Sequence, residues 1–185
     1  MTKKIDMEKV THQYVVDDFL NKWYIEGYRN DKTALRNLDS ASKIFSEIYS
    51  IRLTNEEIGE KIILPWHNHH EKIELTPMEG FLVKEAAEKY LSISEEEYLK
   101  NAPECYSTFQ RTFEQIKNHE NIGNIILTAK PLNFRSYEKI KFDNSKFSHA
   151  DGLHRLIATY IKGQSDLINN IFVYCNSKEE LEAKF

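Results

Sequence analysis

Cysteine, proline and glycine are all scarce in this chain, and each scarcity narrows what it can be. Only two cysteines occur among 185 residues, Cys105 and Cys175. Their separation fits neither a metal-binding nor a redox spacing, so two partly buried thiols in a reducing cytoplasm are expected. With four prolines and six glycines there is no Pro/Gly-rich linker, and no internal repeat or low-complexity tract is present. No apolar run approaches the roughly 20 residues of a membrane span. The start, Met1 to Asp6, carries two lysines with no apolar segment behind them, so no secretory signal is expected. The net charge of −4 speaks against nucleic acid as a partner, since phosphate-backbone binding needs a basic face. What remains is an ordinary globular composition, 41% hydrophobic and 29% charged. It suits one domain, or a small domain with a helical partner.

Hydrophobic spacing changes near residue 121. Before it the pattern is helical: Val15, Val16, Phe19, Leu20, Trp23 and Tyr24 form one apolar face, and Leu35, Leu38, Ile44, Phe45, Ile48 and Tyr49 another, broken near Asp39-Ser40. Thr54 with Glu57, Thr76 with Glu79, and Ser94 with Glu97 each match a capping box, and Pro77 suits a first helical position. A helix restarting near Pro103 carries Tyr106, Phe109, Phe113 and Ile116 on one face. The aromatic faces (Phe19, Trp23, Phe45, Phe109, Phe113) read as core. Beyond residue 121 short strands dominate. Asn124 to Lys130 is a β-branched run of the kind buried on both faces, Asp143-Asn144-Ser145 is a turn, and Phe147 and Ile171–Tyr174 mark further strands. Ser177 with Glu180 caps a last short helix, and Lys72 to Leu75 reads as an earlier strand.

The segment that points to chemistry is Asp151-Gly152-Leu153-His154-Arg155. A strand precedes it. Leu153, Leu156, Ile157, Tyr160 and Ile161 follow at helical spacing, and Gly163 closes the helix. A strand turning through glycine into a helix presents free backbone N–H groups and the positive end of the dipole, which suits an anion such as phosphate. His154 and Arg155 add donors in the first turn.

These residues resemble the nucleotide-binding core of ParB-type proteins and sulfiredoxins, where a strand ends in a Gly-rich, Arg-bearing turn. The order Pro77-Met78-Glu79, Ile125-Ile126-Leu127-Thr128, Asp151-Gly152-Leu153-His154-Arg155 is similar to that of ParB-like free serine kinases. The resemblance covers roughly residues 72–175. It implies an α+β fold, with a helical N-terminal region (1–71) packed on a small mixed sheet of ParB/sulfiredoxin type (72–185), interrupted by a helical insertion at about 92–121. It further implies an ATP- or ADP-dependent phosphotransferase, using Mg2+, that acts on a small hydroxyl-bearing metabolite such as an amino acid. In that reading Gly152, His154 and Arg155 hold phosphates with Lys130 as an extra contact, and Glu79 is the general base. Asp151 orients the substrate or a magnesium-bound phosphate, and Glu79, Asp151 and His154 form the catalytic set. Two relatives are not expected. Leu153 stands where sulfiredoxins have their reactive cysteine, and only about ten residues follow the Ile171 strand, too few for the DNA-binding region of partitioning proteins.

Other readings stay open. Glu79 is equally explained as a helix cap. His149 can point into the pocket with Asp151 or fill a half-buried strand position, and Trp66 can line the substrate side. Lys130 can simply cap its strand end with charge, and His12 and His119 read as surface residues. His67, His69, His70 and Glu71 are dense enough to bind a transition metal, or they form a polar loop. A nucleotide-binding switch without turnover, and a metal-dependent enzyme built on His67–Glu71, are therefore the alternatives to the kinase. A nucleotide and a small-molecule substrate are the expected partners, with neither membrane nor nucleic acid, in the cytoplasm.

Overall fold

A computed structural model of the chain describes residues 6–26, 32–68 and 72–185. The described residues form an α+β fold, eight helices on one mixed seven-stranded sheet. In chain order the elements are β1 (Met7–Val10), α1 (His12–Glu26), α2 (Lys32–Ile44), β2 (Glu47–Ile51), α3 (Asn55–Lys61), β3 (Ile62–Leu64), β4 (Phe81–Leu82), α4 (Val83–Leu91), α5 (Glu95–Asn101), α6 (Pro103–Lys117), β5 (Ile125–Thr128), β6 (Phe147–Asp151), α7 (Leu153–Lys162), β7 (Ile171–Cys175) and α8 (Lys178–Glu182). The strand order is β1-β2-β7-β5-β6-β3-β4. β5 runs parallel to β7 and β3 parallel to β6, and the remaining neighbours are antiparallel. No helix among the described residues is long and apolar enough to cross a membrane.

The centre of the sheet follows from its residues. Every side chain of β5 and β7 is buried, as expected of continuous β-branched and aromatic runs covered on both faces. Phe147, Phe172 and Tyr174 are among the largest fully buried side chains. Helix α7 packs against α3, α4 and α6, and Gly163 ends it in the left-handed conformation (φ 65°), the backbone state glycine adopts without steric cost. Phe19, Phe45 and Phe109 are core residues and Phe113 packs partly buried against them. The side chains of Trp23 and Tyr24 lie outside the described residues.

Several local expectations are corrected. The expected boundary at residue 71 does not separate a helical region from the sheet: β1, β2 and β3 all precede it, and the core is continuous across it. Residues 92–121 do carry helices, α5 and α6. Ile48 and Tyr49 belong to β2, α2 ends at Ile44, and no break occurs at Asp39-Ser40. Apolar residues at i, i+1, i+4 and i+5 satisfy a helix face, yet alternate residues of the same run serve a strand. Lys72 to Leu75 forms no strand; that role falls to Ile62–Leu64.

The capping boxes divide. Thr54 and Glu57 form theirs in full, while Ser94 and Ser177 cap α5 and α8 through the backbone N–H of Glu97 and Glu180. Thr76 caps nothing. Its hydroxyl donates to the Pro65 carbonyl, and the chain then turns, closed by the Gly80 N–H on the Pro77 carbonyl at 3.0 Å. The next helix starts only at Val83, where the Glu85 carboxylate accepts from the Leu82 N–H at 2.7 Å.

Candidate functional site

The site begins where β6 meets α7. Asp151 pairs with Ile126 and His149 with Leu127, so Ala150 is an extra residue on β6, a β-bulge. Bulges bend a strand and re-aim its side chains. Here Asn37 of α2 holds the bulge by donating to the Ala150 carbonyl at 2.8 Å. Gly152 then turns the chain at φ 99°. A Cβ there would meet Ile125 Cδ1 at 2.5 Å and Arg155 Nη2 at 3.3 Å, so only glycine fits both the angle and the space. Gly152 makes no side-chain cap hydrogen bond to α7.

The turn opens on a cavity of about 690 Å3. Of the sequence candidates, Trp66, His67, His149, Asp151, Gly152, His154 and Arg155 all line it. Lys130 and Glu79 do not. Lys130 makes an exposed ion pair with Glu180 at 3.3 Å. Glu79 is exposed in the turn after Thr76, where its backbone carbonyl accepts from the Lys141 N–H at 3.1 Å. Glu79 and the Gly152 turn are thus not brought together around the cavity. His69, His70 and Glu71 lie outside the described residues.

Electrostatically the cavity is one-sided. Arg36, Arg111 and Arg155 line it, and among the described residues Asp151 is its only carboxylate. Arg155 Nη2 donates to Asp151 Oδ2 at 2.6 Å. The Arg36 guanidinium carbon lies over the Phe134 ring, 4.4 Å from its centroid, a cation–π contact. Burial, reinforced by the Asp151 carboxylate, pushes the Tyr137 phenol well above its ordinary value.

His149 is the most unusual member. It is 6% exposed, and neither ring nitrogen has a hydrogen-bond partner. Burial, and secondarily the Arg155 charge, lower its pKa to about 3, so the ring is neutral near pH 7. Asn37 Oδ1 is likewise buried without a partner. Buried polar atoms are nearly always satisfied, and these two belong to residues that line one cavity.

A second cluster stands in the cavity wall. The ligating atoms of His67, Cys105 and His154 lie within 4.8 Å of one another, and Cys105 Sγ is 3.3 Å from His154 Nε2. The His67 and His154 rings meet edge to face at 4.9 Å. Sequence spacing pointed away from Cys105, because its partners come from two other segments. His67 was among the candidates; its backbone is pinned to the Leu75–Thr76 segment by bonds of 3.1 Å in each direction (His67 N–H to Thr76, Leu75 N–H to His67). His12, read as a surface residue, is part-buried with Nδ1 2.9 Å from the Tyr174 hydroxyl, while His119 is exposed.

No curated protein and no solved structure matches the chain. A family model described as "Family of unknown function (DUF6309)" matches residues 3–184, so this chain belongs to that family.

Proposed function

We propose that the cavity binds a phosphate-bearing small molecule of nucleotide size, with its phosphate at the N-terminus of α7. The observation that carries the reading is the convergence of three arginines and an uncapped helix N-terminus on a cavity that, among the described residues, is lined by a single carboxylate. Counted with neutral histidines, the described lining has two positive charges in excess. A helix N-terminus supplies N–H groups and the positive end of a dipole to an anion, and guanidinium groups match phosphate oxygens in pairs. The volume lies within the roughly 300–1,000 Å3 range of ligand sites. His149 and Asn37 add a buried ring and a buried carbonyl oxygen whose hydrogen bonds a ligand's N–H or O–H groups would complete. The resemblance to ParB and sulfiredoxin nucleotide sites points to the same turn. Calorimetric titration with ATP and with ADP, magnesium present, tests the proposal. Saturable binding that weakens with salt is expected, and no heat from either nucleotide or from pyrophosphate would sink it.

Phosphoryl transfer to a small hydroxyl-bearing molecule is the second reading, favoured by one observation. Asp151 is the carboxylate that lines the cavity among the described residues, and a carboxylate there would accept a proton or share a magnesium ion with phosphate oxygens. Glu79 takes no part in this version, because it does not line the cavity. Asp151→Asn would then abolish ADP formation while nucleotide still binds. A wild-type protein that binds ATP but releases no ADP with any hydroxyl acceptor leaves the binding role alone.

A further inference from the structure

We propose that His67, Cys105 and His154 form a binding site for a borderline-soft transition metal, zinc above all, with one coordination position open to the cavity. The inference stands apart from the phosphate reading, since none of its steps requires an anion.

Three separate segments deliver the donors: the loop after β3, the first turn of α6, and the first turn of α7. Their ligating atoms fall within 4.8 Å of one another. Tetrahedral zinc, with bonds of about 2.0–2.3 Å, sets its ligand atoms about 3.5 Å apart. The Cys105–His154 separation of 3.3 Å already meets that value. Closing the widest separation needs a shift on the order of 1 Å. The donor chemistry is selective: two imidazoles and a sulfur, with no carboxylate, suit zinc or cobalt and not magnesium or calcium.

The surroundings hold the donors in place. Cys105 lies in the first turn of α6 and His154 in the first turn of α7, two helices that pack on each other. The Phe109 ring packs edge-on against His154 at 4.8 Å and fixes its plane. The Thr76 bridge fixes the backbone of His67. His67 and His154 line the cavity and Cys105 does not, so the cluster faces the cavity through its imidazoles. Three protein ligands with a fourth position facing a cavity is the arrangement of reactive zinc centres, as distinct from closed structural ones. Cys175 provides the contrast. It too is buried, yet it joins no such group of ligating side chains among the described residues.

Cobalt titration of metal-stripped, reduced protein tests the site. One equivalent of Co(II) should produce a thiolate-to-cobalt charge-transfer band with the intense visible bands of tetrahedral cobalt, and azide should shift the visible bands through the open position. Cys105→Ser should lose the charge-transfer band, and His67→Gln should lose the tetrahedral spectrum while keeping wild-type circular dichroism. Cys175→Ala, and the double variant His69→Gln/His70→Gln, should keep both. Zinc should raise the thermal midpoint of the wild type but not of His67→Gln, a readout that survives if Cys105→Ser fails to fold. No stoichiometric cobalt or zinc in folded wild type would overturn the proposal, as would a spectrum that persists in His67→Gln or vanishes in the His69/His70 variant. A spectrum unmoved by azide would overturn the open position.

Discussion

Two buried, titratable side chains sit at opposite ends of the satisfaction scale, Lys184 near the C-terminus and His149 on β6. Lys184 is 3% exposed, and its ammonium donates to the carbonyls of Ala129, Asn144 and Lys146 at 2.9, 2.9 and 2.6 Å. Burial lowers its pKa to about 8, so it keeps its charge at neutral pH, with all three donors used. His149 is equally buried, neutral at that pH, and has no partner on either nitrogen. The same desolvation acts on both. The difference lies in what surrounds them: Lys184 closes a gap between β5 and the loop before β6, whereas His149 lines a cavity. A polar group whose bonds are all met serves the fold. One that is buried and unmet lowers stability until something supplies the missing partner. The contrast therefore separates scaffold from site.

The largest effect should come from the satisfied member. Lys184→Met removes three hydrogen bonds to carbonyls, the one to Ala129 fully buried, and should cost about 3 kcal/mol in urea unfolding, at roughly one per lost bond, with nucleotide affinity unchanged in the protein that remains folded. A loss of affinity at constant stability would dissolve the contrast. Next, Arg155→Gln should weaken ATP or ADP binding by roughly 10- to 100-fold, the value of about 1.5–3 kcal/mol for a bond to a charged group, with a far smaller change in thermal midpoint. The pair with Asp151 is partly exposed and contributes little stability of its own.

His149 should then report through pH. Its folded pKa, about 3, is depressed below the ordinary 6.5, so as pH falls the unfolded chain takes up the proton first. Its contribution is fully present above about pH 6.5 and is lost progressively towards pH 3. Urea unfolding should show a slope of about 1.4 kcal/mol per pH unit from this group. His149→Leu should flatten that part of the profile and hold or raise stability at pH 7, by up to about 1 kcal/mol, while weakening ligand binding. A variant that loses stability at pH 7 and keeps the acid slope would show that His149 belongs with Lys184.

Sequence reading captured the elements whose determinants are local. The Gly152 turn, the Gly163 stop, the buried strands β5 and β7 and the Thr54 box each depend on a few adjacent residues. Trp66 and His149 were candidates for the substrate pocket and His67 for a metal, and all three line the cavity. What escaped depends on distant partners. Thr76 has every mark of a cap until its hydroxyl finds the Pro65 carbonyl. Cys105 joins His67 and His154 only because α6 packs on α7. Nothing local to Lys184 reveals the three carbonyls that receive its ammonium.

Glu79 provides the smallest expected effect and the sharpest test of that division. Its motif context placed it in the catalytic set, yet in the structure its side chain is exposed and does not line the cavity. Glu79→Gln should therefore leave unfolding free energy within about 0.5 kcal/mol of wild type, as for surface substitutions generally, and leave nucleotide affinity and any ADP release unchanged. The backbone bond from Lys141 to the Glu79 carbonyl survives the substitution, so the turn itself is not perturbed. A selective fall in turnover at constant affinity would mean that the Pro77–Gly80 turn swings to the cavity when ligand is bound. Glu79 would then be a base acting from outside the apo site, and the line between scaffold and site would have to be drawn in the liganded protein.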